Sequence, residues 1–188
     1  VTPPQKHALI YQALCAGLAE YIHKNNFPGV LLGLSGGIDS ALTLAIAVDA
    51  LGPERVHTLA LPSRYTSEIS TEDIEILIQM HPGVTHHTLS IEPGFETLLK
   101  TLTPHLDNQT VPEITQQILQ ARLRGMLLMA FSNSNGKLVL STSNKSESAV
   151  GYTTLYGDMC GGFAPIKDVP KTLVYALAEY RNTQSLVI

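Results

Sequence analysis

The chain has 188 residues, 44% of them hydrophobic and 15% charged, which suits one substantial core and not two independent ones. Its formal net charge is -4 with both signs interspersed, so it lacks the basic surface that nucleic acid or an anionic membrane would require. Cys15 and Cys160 form no CxxC pair, and no apolar run reaches membrane length, so we expect a cytoplasmic protein that acts on small molecules.

After Thr2-Pro3-Pro4, the residues Leu9, Ile10, Ala13, Leu14, Leu18, Tyr21 and Ile22 recur at helical spacing until Asn25, Asn26 and Pro28 end the pattern. Gly29 to Leu34 is a short apolar run that predicts a strand. It breaks into a Gly-rich turn and a helical stretch from Ile38 to Ala50, closed by Gly52-Pro53. Val56 to Leu61 predicts a second strand, Ser70-Thr71-Glu72-Asp73 a helix start running to Met80, and Val84 to Ile91 a third strand. A short helix from Pro93 to Lys100, a polar loop, a long helix from Glu113 to Ser132 and a fourth strand from Lys137 to Thr142 follow. The remainder gives a helical turn after Asn144, a Gly-rich loop from Gly151 to Gly162, and a last helix opened by Pro170. This alternation predicts an α/β fold with a doubly wound, mostly parallel sheet and helices on both faces. Ligands are then expected beyond the carboxyl ends of the strands, where strand order reverses.

The first strand-loop-helix turn reads Ser35-Gly36-Gly37-Ile38-Asp39-Ser40. Glycines let the backbone approach an anion, and a helix start offers free N–H groups with a partial positive charge. The loop is neither a Walker loop nor a GxGxxG turn. Asp39 has two readings on local physics. It ligates Mg²⁺ that screens it from phosphate, or it sits in the first helical turn as a favourable acid.

SGGIDS resembles the SGGxDS pyrophosphate loop of the ATP pyrophosphatase superfamily, whose members adenylate a carbonyl and release pyrophosphate. Ser141 to Glu147, STSNKSE, and Gly151 to Phe163, GYTTLYGDMCGGF, together resemble the NAD synthetase block TxNKSExAVGYxTLYGDMxGG. Leu61 to Ser67, Gln120 to Gly125 and Ile166 to Tyr175 agree with the same family, and the wording is closer to its glutamine-dependent type. The resemblance implies the adenine nucleotide alpha hydrolase-like fold. It also implies a ligase that converts deamido-NAD to NAD through an adenylated intermediate, with ATP as co-substrate, Mg²⁺ as cofactor and ammonia as nitrogen donor. Further implied are a homodimer, a nitrilase-like glutaminase domain in the whole protein, and a C-terminal segment beyond residue 188. The rival readings are another SGGxDS enzyme and a nucleotide-binding fragment without the chemistry.

By the same resemblance, Gly33, Leu34, Ser35, Gly36, Gly37, Ile38, Asp39 and Ser40 hold the ATP phosphates, Thr142 meets the adenosine, and Asp39 and Glu147 ligate Mg²⁺. Lys171 neutralises the departing pyrophosphate, while Arg122, Glu147, Tyr152, Tyr156 and Asp158 contact deamido-NAD. Each has an ordinary alternative. Glu147 and Lys171 could be surface charges, Arg122 a surface or capping residue, the tyrosines packing residues, and Asp158 a turn residue. Ile118 departs from the family, which has Asn there, so one polar contact to the dinucleotide is missing or supplied elsewhere. The histidines lack metal-ligand spacing, and neither cysteine has the adjacent base that a nucleophile requires.

Overall fold

The computed structural model describes residues 6–106, 110–157 and 159–184. Four strands, β1 (Val30–Leu34), β2 (Val56–Ala60), β3 (Thr85–Thr88) and β4 (Leu138–Leu140), form one sheet. All pairings are parallel and the order is β3-β2-β1-β4. The register pairs Val30 with Val56 on one side of β1 and with Leu138 on the other. Strand order therefore reverses between β1 and β4.

Among the described residues seven α-helices accompany the strands: α1 (Lys6–Lys24), α2 (Ile38–Leu51), α3 (Glu68–Gln79), α4 (Glu92–Leu102), α5 (Glu113–Asn135), α6 (Lys145–Val150) and α7 (Lys171–Gln184). Side chains alternate across a strand, so successive residues of β1 supply opposite faces. Val30, Leu32 and Leu34 enter one core with Leu18 and Ile22 of α1, Ile46 of α2, Ile74 of α3, and Val174 and Leu177 of α7. Leu31 enters a second core with Leu59, Phe95 of α4 and Leu123 of α5. Helices cover both faces, as the alternating pattern predicts. Each fully buried leucine or isoleucine contributes on the order of 1.5–3 kcal/mol of burial free energy.

Several boundaries differ from the sequence reading for identifiable reasons. Ser67 caps α3, its hydroxyl accepting from Ser70 N–H at 3.2 Å, so the helix starts before the predicted Ser70. Past Thr88 the chain still follows β2, with Leu89 N–H donating to the Ala60 carbonyl and Ile91 N–H to that of Pro62, but without strand geometry. α5 runs beyond Ser132 to Asn135, where Gly136 takes the left-handed conformation at φ 71 and ends it.

Candidate functional site

β1 delivers the chain into the loop that precedes α2, on the rim where strand order reverses. Gly37 occupies the N-cap in an extended conformation with no side-chain cap, so the first-turn N–H groups of α2 are open toward the rim. Hydroxyls brace the loop. Ser35 Oγ accepts from Gly37 N–H at 3.3 Å, Ser40 Oγ donates to the Gly37 carbonyl at 2.8 Å, and the two hydroxyls lie 3.3 Å apart. Gly36 has φ +77, and a Cβ there would stand 2.7 Å from the Ser70 carbonyl oxygen, so only glycine suits this position.

Beyond β4 the chain forms a second half of the rim. Asn144 is fully buried and caps α6 reciprocally. Its side-chain oxygen accepts from Glu147 N–H at 3.0 Å, and the Glu147 carboxylate accepts from Asn144 N–H at 3.1 Å. The Asn144 amide nitrogen donates to Asp39 Oδ1 at 3.0 Å, and the Lys171 ammonium pairs with Asp39 Oδ2. Lys171 N–H also donates to Ser146 Oγ at 3.0 Å, and Lys145 N–H to the Val169 carbonyl at 3.0 Å. The starts of α2, α6 and α7 thus converge on the Asp39 carboxylate, which carries one cation and one amide donor.

A cavity of about 540 Å³ opens at the carboxyl ends of the strands and reaches toward this cluster through Ser35 of the loop and Thr142 after β4. Gly33, Leu34 and Ser35 line it from β1, Leu59 to Pro62 from β2, His86 and Thr88 from β3, and Leu140 and Thr142 from β4. Its size falls within the range of small-molecule sites. Arg124 of α5, with Tyr65 and Thr66, lines both this cavity and a smaller one of about 280 Å³ faced by Gln116, Gln117 and Gln120. The Arg124 guanidinium donates to the Leu61 carbonyl at 3.0 Å and to Ser63 Oγ at 3.4 Å, and burial opposes its charge.

A family model described as NAD synthase matches residues 10–188. The chain belongs to the NAD synthase family. It is 56% identical over 176 residues to a glutamine-dependent NAD(+) synthetase of Xanthomonas campestris, covering 94% of this chain and 32% of that protein. It is 53% identical to the glutamine-dependent enzyme of Acinetobacter baylyi, covering 95% and 32%. The chain thus spans about a third of the length of these curated relatives. Among solved structures, a glutamine-dependent NAD+ synthetase from Acinetobacter baumannii superposes with a TM-score of 0.94 at 52% identity, over 100% of this chain and 35% of that one. An NH3-dependent NAD synthetase from Campylobacter jejuni gives 0.84 at 32%, covering 95% and 75%. An NMN synthetase from Francisella tularensis gives 0.86 at 30%, covering 95% and 72%. These likenesses agree with the fold expected from the resemblance.

Against this NAD synthase frame, the expected residues separate into groups. Gly33, Leu34, Ser35 and Thr142 line the large cavity, while Gly36, Gly37, Ile38, Asp39 and Ser40 form the adjoining loop and first turn. Asp39, Glu147 and Lys171 gather around Asn144, a residue not singled out from the sequence. Arg122 stands apart, its Nε donating to the Leu155 carbonyl at 3.1 Å. Tyr152 and Tyr156 are 80% and 78% exposed, so neither is an ordinary packing residue. Asp158 lies outside the described residues. Ile118 borders neither cavity, and the polar groups on that stretch of α5 are Gln116, Gln117 and Gln120. Arg124 and His86 were not assigned a site role from the sequence. Arg124 had a visible signal in its place within the Gln120 to Gly125 block, whereas His86 had none, because only sheet pairing brings β3 to the cavity.

Proposed function

We propose that this chain is the synthetase portion of an enzyme that amidates deamido-NAD to NAD at the expense of ATP. The observation that carries the reading is the adjacency of an open phosphate-type loop, the Asp39–Asn144–Lys171 cluster and a cavity of about 540 Å³ on one rim. The A. baumannii relative was solved with adenosine diphosphate, which supports nucleotide binding here.

In this reading the loop from Gly33 to Ser40 receives the ATP phosphates and the large cavity takes the adenosine, with Thr142 at its edge. Among the described residues no group of three or more His, Cys, Asp or Glu could hold a metal ion by itself. Asp39 and Glu147 nevertheless fit Mg²⁺, because that ion takes one or two carboxylates and completes its shell with water and substrate phosphate. Bound there, Mg²⁺ would neutralise charge on the phosphates. The nicotinate carboxylate attacks the α-phosphorus of ATP, the bond to the β-phosphate oxygen breaks, and pyrophosphate leaves. Ammonia then attacks the acyl carbon, AMP departs with the electron pair of the broken C–O bond, and the attacking nitrogen gives up one proton to solvent, leaving the carboxamide. Lys171 stabilises the leaving pyrophosphate, and no protein nucleophile takes part. Arg122, Tyr152, Tyr156 and Asp158 are assigned to the dinucleotide.

The same reading includes a homodimer, supported by uncovered Met126 and Met129 on α5, Val150 at the end of α6 and Leu155 after it. It also includes a glutamine-hydrolysing domain elsewhere in the whole protein, supported by the greater length of the glutamine-dependent relatives, and a cytoplasmic setting. No helix among the described residues is long and apolar enough to cross a membrane. The test is pyrophosphate release from ATP with Mg²⁺ and ammonium, with and without deamido-NAD. Release that depends on deamido-NAD is expected. Binding of ATP with no release under any acceptor would leave only a nucleotide-binding fragment, and release with nicotinate mononucleotide in preference would change the acceptor.

A further inference from the structure

Two ion pairs join α2 to α7, and they repeat at equal intervals. Asp39 pairs with Lys171 and Asp49 with Arg181, so ten residues separate the two partners on each helix. Ten residues of α-helix rise about 15 Å. The helices therefore run parallel in one register, clamped near both ends of that interval.

The two clamps differ in kind. Lys171 is a point charge on a flexible stem and its side chain is 37% exposed. Arg181 is 11% exposed and grips Asp49 with two bonds, Nη2 to Oδ1 at 2.9 Å and Nε to Oδ2 at 2.5 Å. Tyr11 of α1 adds a third, its phenol donating to Asp49 Oδ2 at 2.7 Å. A bidentate fork fixes direction as well as distance, which a lysine contact does not. On one side of this contact Ala41 and Ala45 of α2 and Ala178 of α7, with the larger Ile38, Leu42 and Leu77, line a groove of about 250 Å³ that also reaches Arg181, so the fork stands where the apolar contact of the two helices is incomplete.

We propose that Asp49, Arg181 and Tyr11 are positioning residues that set the register of α7 on α2 and thereby place the Lys171 ammonium at the phosphate loop. Lys171 acts on pyrophosphate only if the proposed function holds, so the test reads position and turnover separately. Position is read by acetic anhydride labelling of the substrate-free protein, followed by mass spectrometry, with Lys24 as an exposed reference. Engaged by the Asp39 carboxylate, the Lys171 amine is less available to the reagent than that of a free lysine. Arg181→Gln is expected to speed its labelling several-fold with Lys24 unchanged, and Arg181→Lys to restore part of the protection. Unchanged Lys171 labelling in folded Arg181→Gln would overturn the proposal.

Turnover is read by pyrophosphate release. Arg181→Gln should lower kcat about tenfold to a hundredfold, the range of a misplaced catalytic group, with little change in the KM for ATP. It should cost nothing more in a Lys171→Met background, because an effect exerted through Lys171 vanishes with it. Additive losses would indicate a purely structural contact and overturn the proposal. If wild-type protein releases no pyrophosphate, the functional reading fails and the labelling still decides the clamp. Should Arg181→Gln not fold, Tyr11→Phe removes a single bond and is expected to raise Lys171 labelling by a smaller factor. No rise there would equally overturn it.

Discussion

Asn144 links the two acids assigned to the site. Its amide nitrogen holds Asp39 Oδ1 at 3.0 Å while its amide oxygen receives Glu147 N–H at the same distance. The cap of a one-and-a-half-turn helix is thereby also the positioner of a carboxylate from α2, 105 residues away in sequence. Local folding and site geometry depend on the same side chain.

Asn144→Ala should consequently cost more than an ordinary cap. Loss of the cap costs about 1 kcal/mol, and loss of a bond to a charged group roughly 1.5–3 kcal/mol more. Asn144→Asp keeps a good cap but sets a second carboxylate against Asp39. We expect Asn144→Ala to melt well below wild type, and Asn144→Asp to bind ATP more weakly unless Mg²⁺ is raised. An unchanged melting temperature for Asn144→Ala would refute the linkage.

Glu147→Gln separates the two roles of its residue. Glutamine also closes a capping box, so the fold should survive with a near-native melting temperature. The lost negative charge removes a ligand suited to Mg²⁺, and pyrophosphate release should fall by about 10²–10³, the scale of one lost electrostatic contact at a reacting centre. Wild-type turnover in this variant would exclude Glu147 from the metal site.

Two neighbouring glycines should respond differently to the same change. Gly36→Ala forces a left-handed backbone, costing about 1–2 kcal/mol, and drives Cβ to 2.7 Å from the Ser70 carbonyl. Gly37 has φ -84, and its added Cβ would meet only the Ser35 hydroxyl at 3.3 Å, which can rotate away. Calorimetry should show ATP binding lost in Gly36→Ala and weakened only modestly in Gly37→Ala. Equal affinities would show that the loop tolerates remodelling.

The division between what was and was not legible in the sequence follows sequence distance. The strand-loop-helix unit at Ser35 to Ser40 was readable because glycines, hydroxyls and flanking periodicity all lie within a few residues. Alternating elements likewise gave the doubly wound sheet, since each strand and helix carries its own pattern. Asp39 remained open between metal ligand and helix-end acid. Its partners in the fold, Asn144 and Lys171, lie 105 and 132 residues away, so no local pattern announces them. Arg124 was visible as part of the Gln120 to Gly125 block, but its contacts were not. Its acceptors are a backbone carbonyl and a hydroxyl more than 60 residues distant, and no local motif announces them. Boundaries slipped where neighbouring residues compete for one task, as Ser67 and Ser70 do at the start of α3.

Both thiols should be slow nucleophiles. Burial pushes Cys15 up to about 12 and raises Cys160 above the ordinary thiol range, so little thiolate exists at pH 8. Cys160 also donates to the Gly125 carbonyl at 3.5 Å. Titration with a disulfide reagent at pH 8 should find two thiols after denaturation, and in the native protein labelling on the order of a hundredfold slower. Rapid native labelling of Cys160 would reopen it as a reactive group facing the cavity.

The last expectation concerns acid. His57 and His86 are both held below the ordinary histidine range, by burial first, then for His57 by Lys137 and His87, and for His86 by His87. His86 sits at the cavity wall with Nδ1 2.8 Å from Thr58 Oγ1 and Nε2 3.3 Å from Thr88 Oγ1. A base whose folded pKa is depressed takes up protons more readily when unfolded. Its stabilisation is fully present above the unfolded value of about 6.5 and is lost as pH falls from there through the folded value. The melting temperature should therefore drop between pH 7.5 and pH 5.5. His86→Gln keeps a group able to hydrogen-bond both threonines but cannot take up the proton, so its drop over the same interval should be smaller. Equal drops in the two proteins would mean that His86 contributes nothing to the acid sensitivity, and would leave His57 among the groups that account for it.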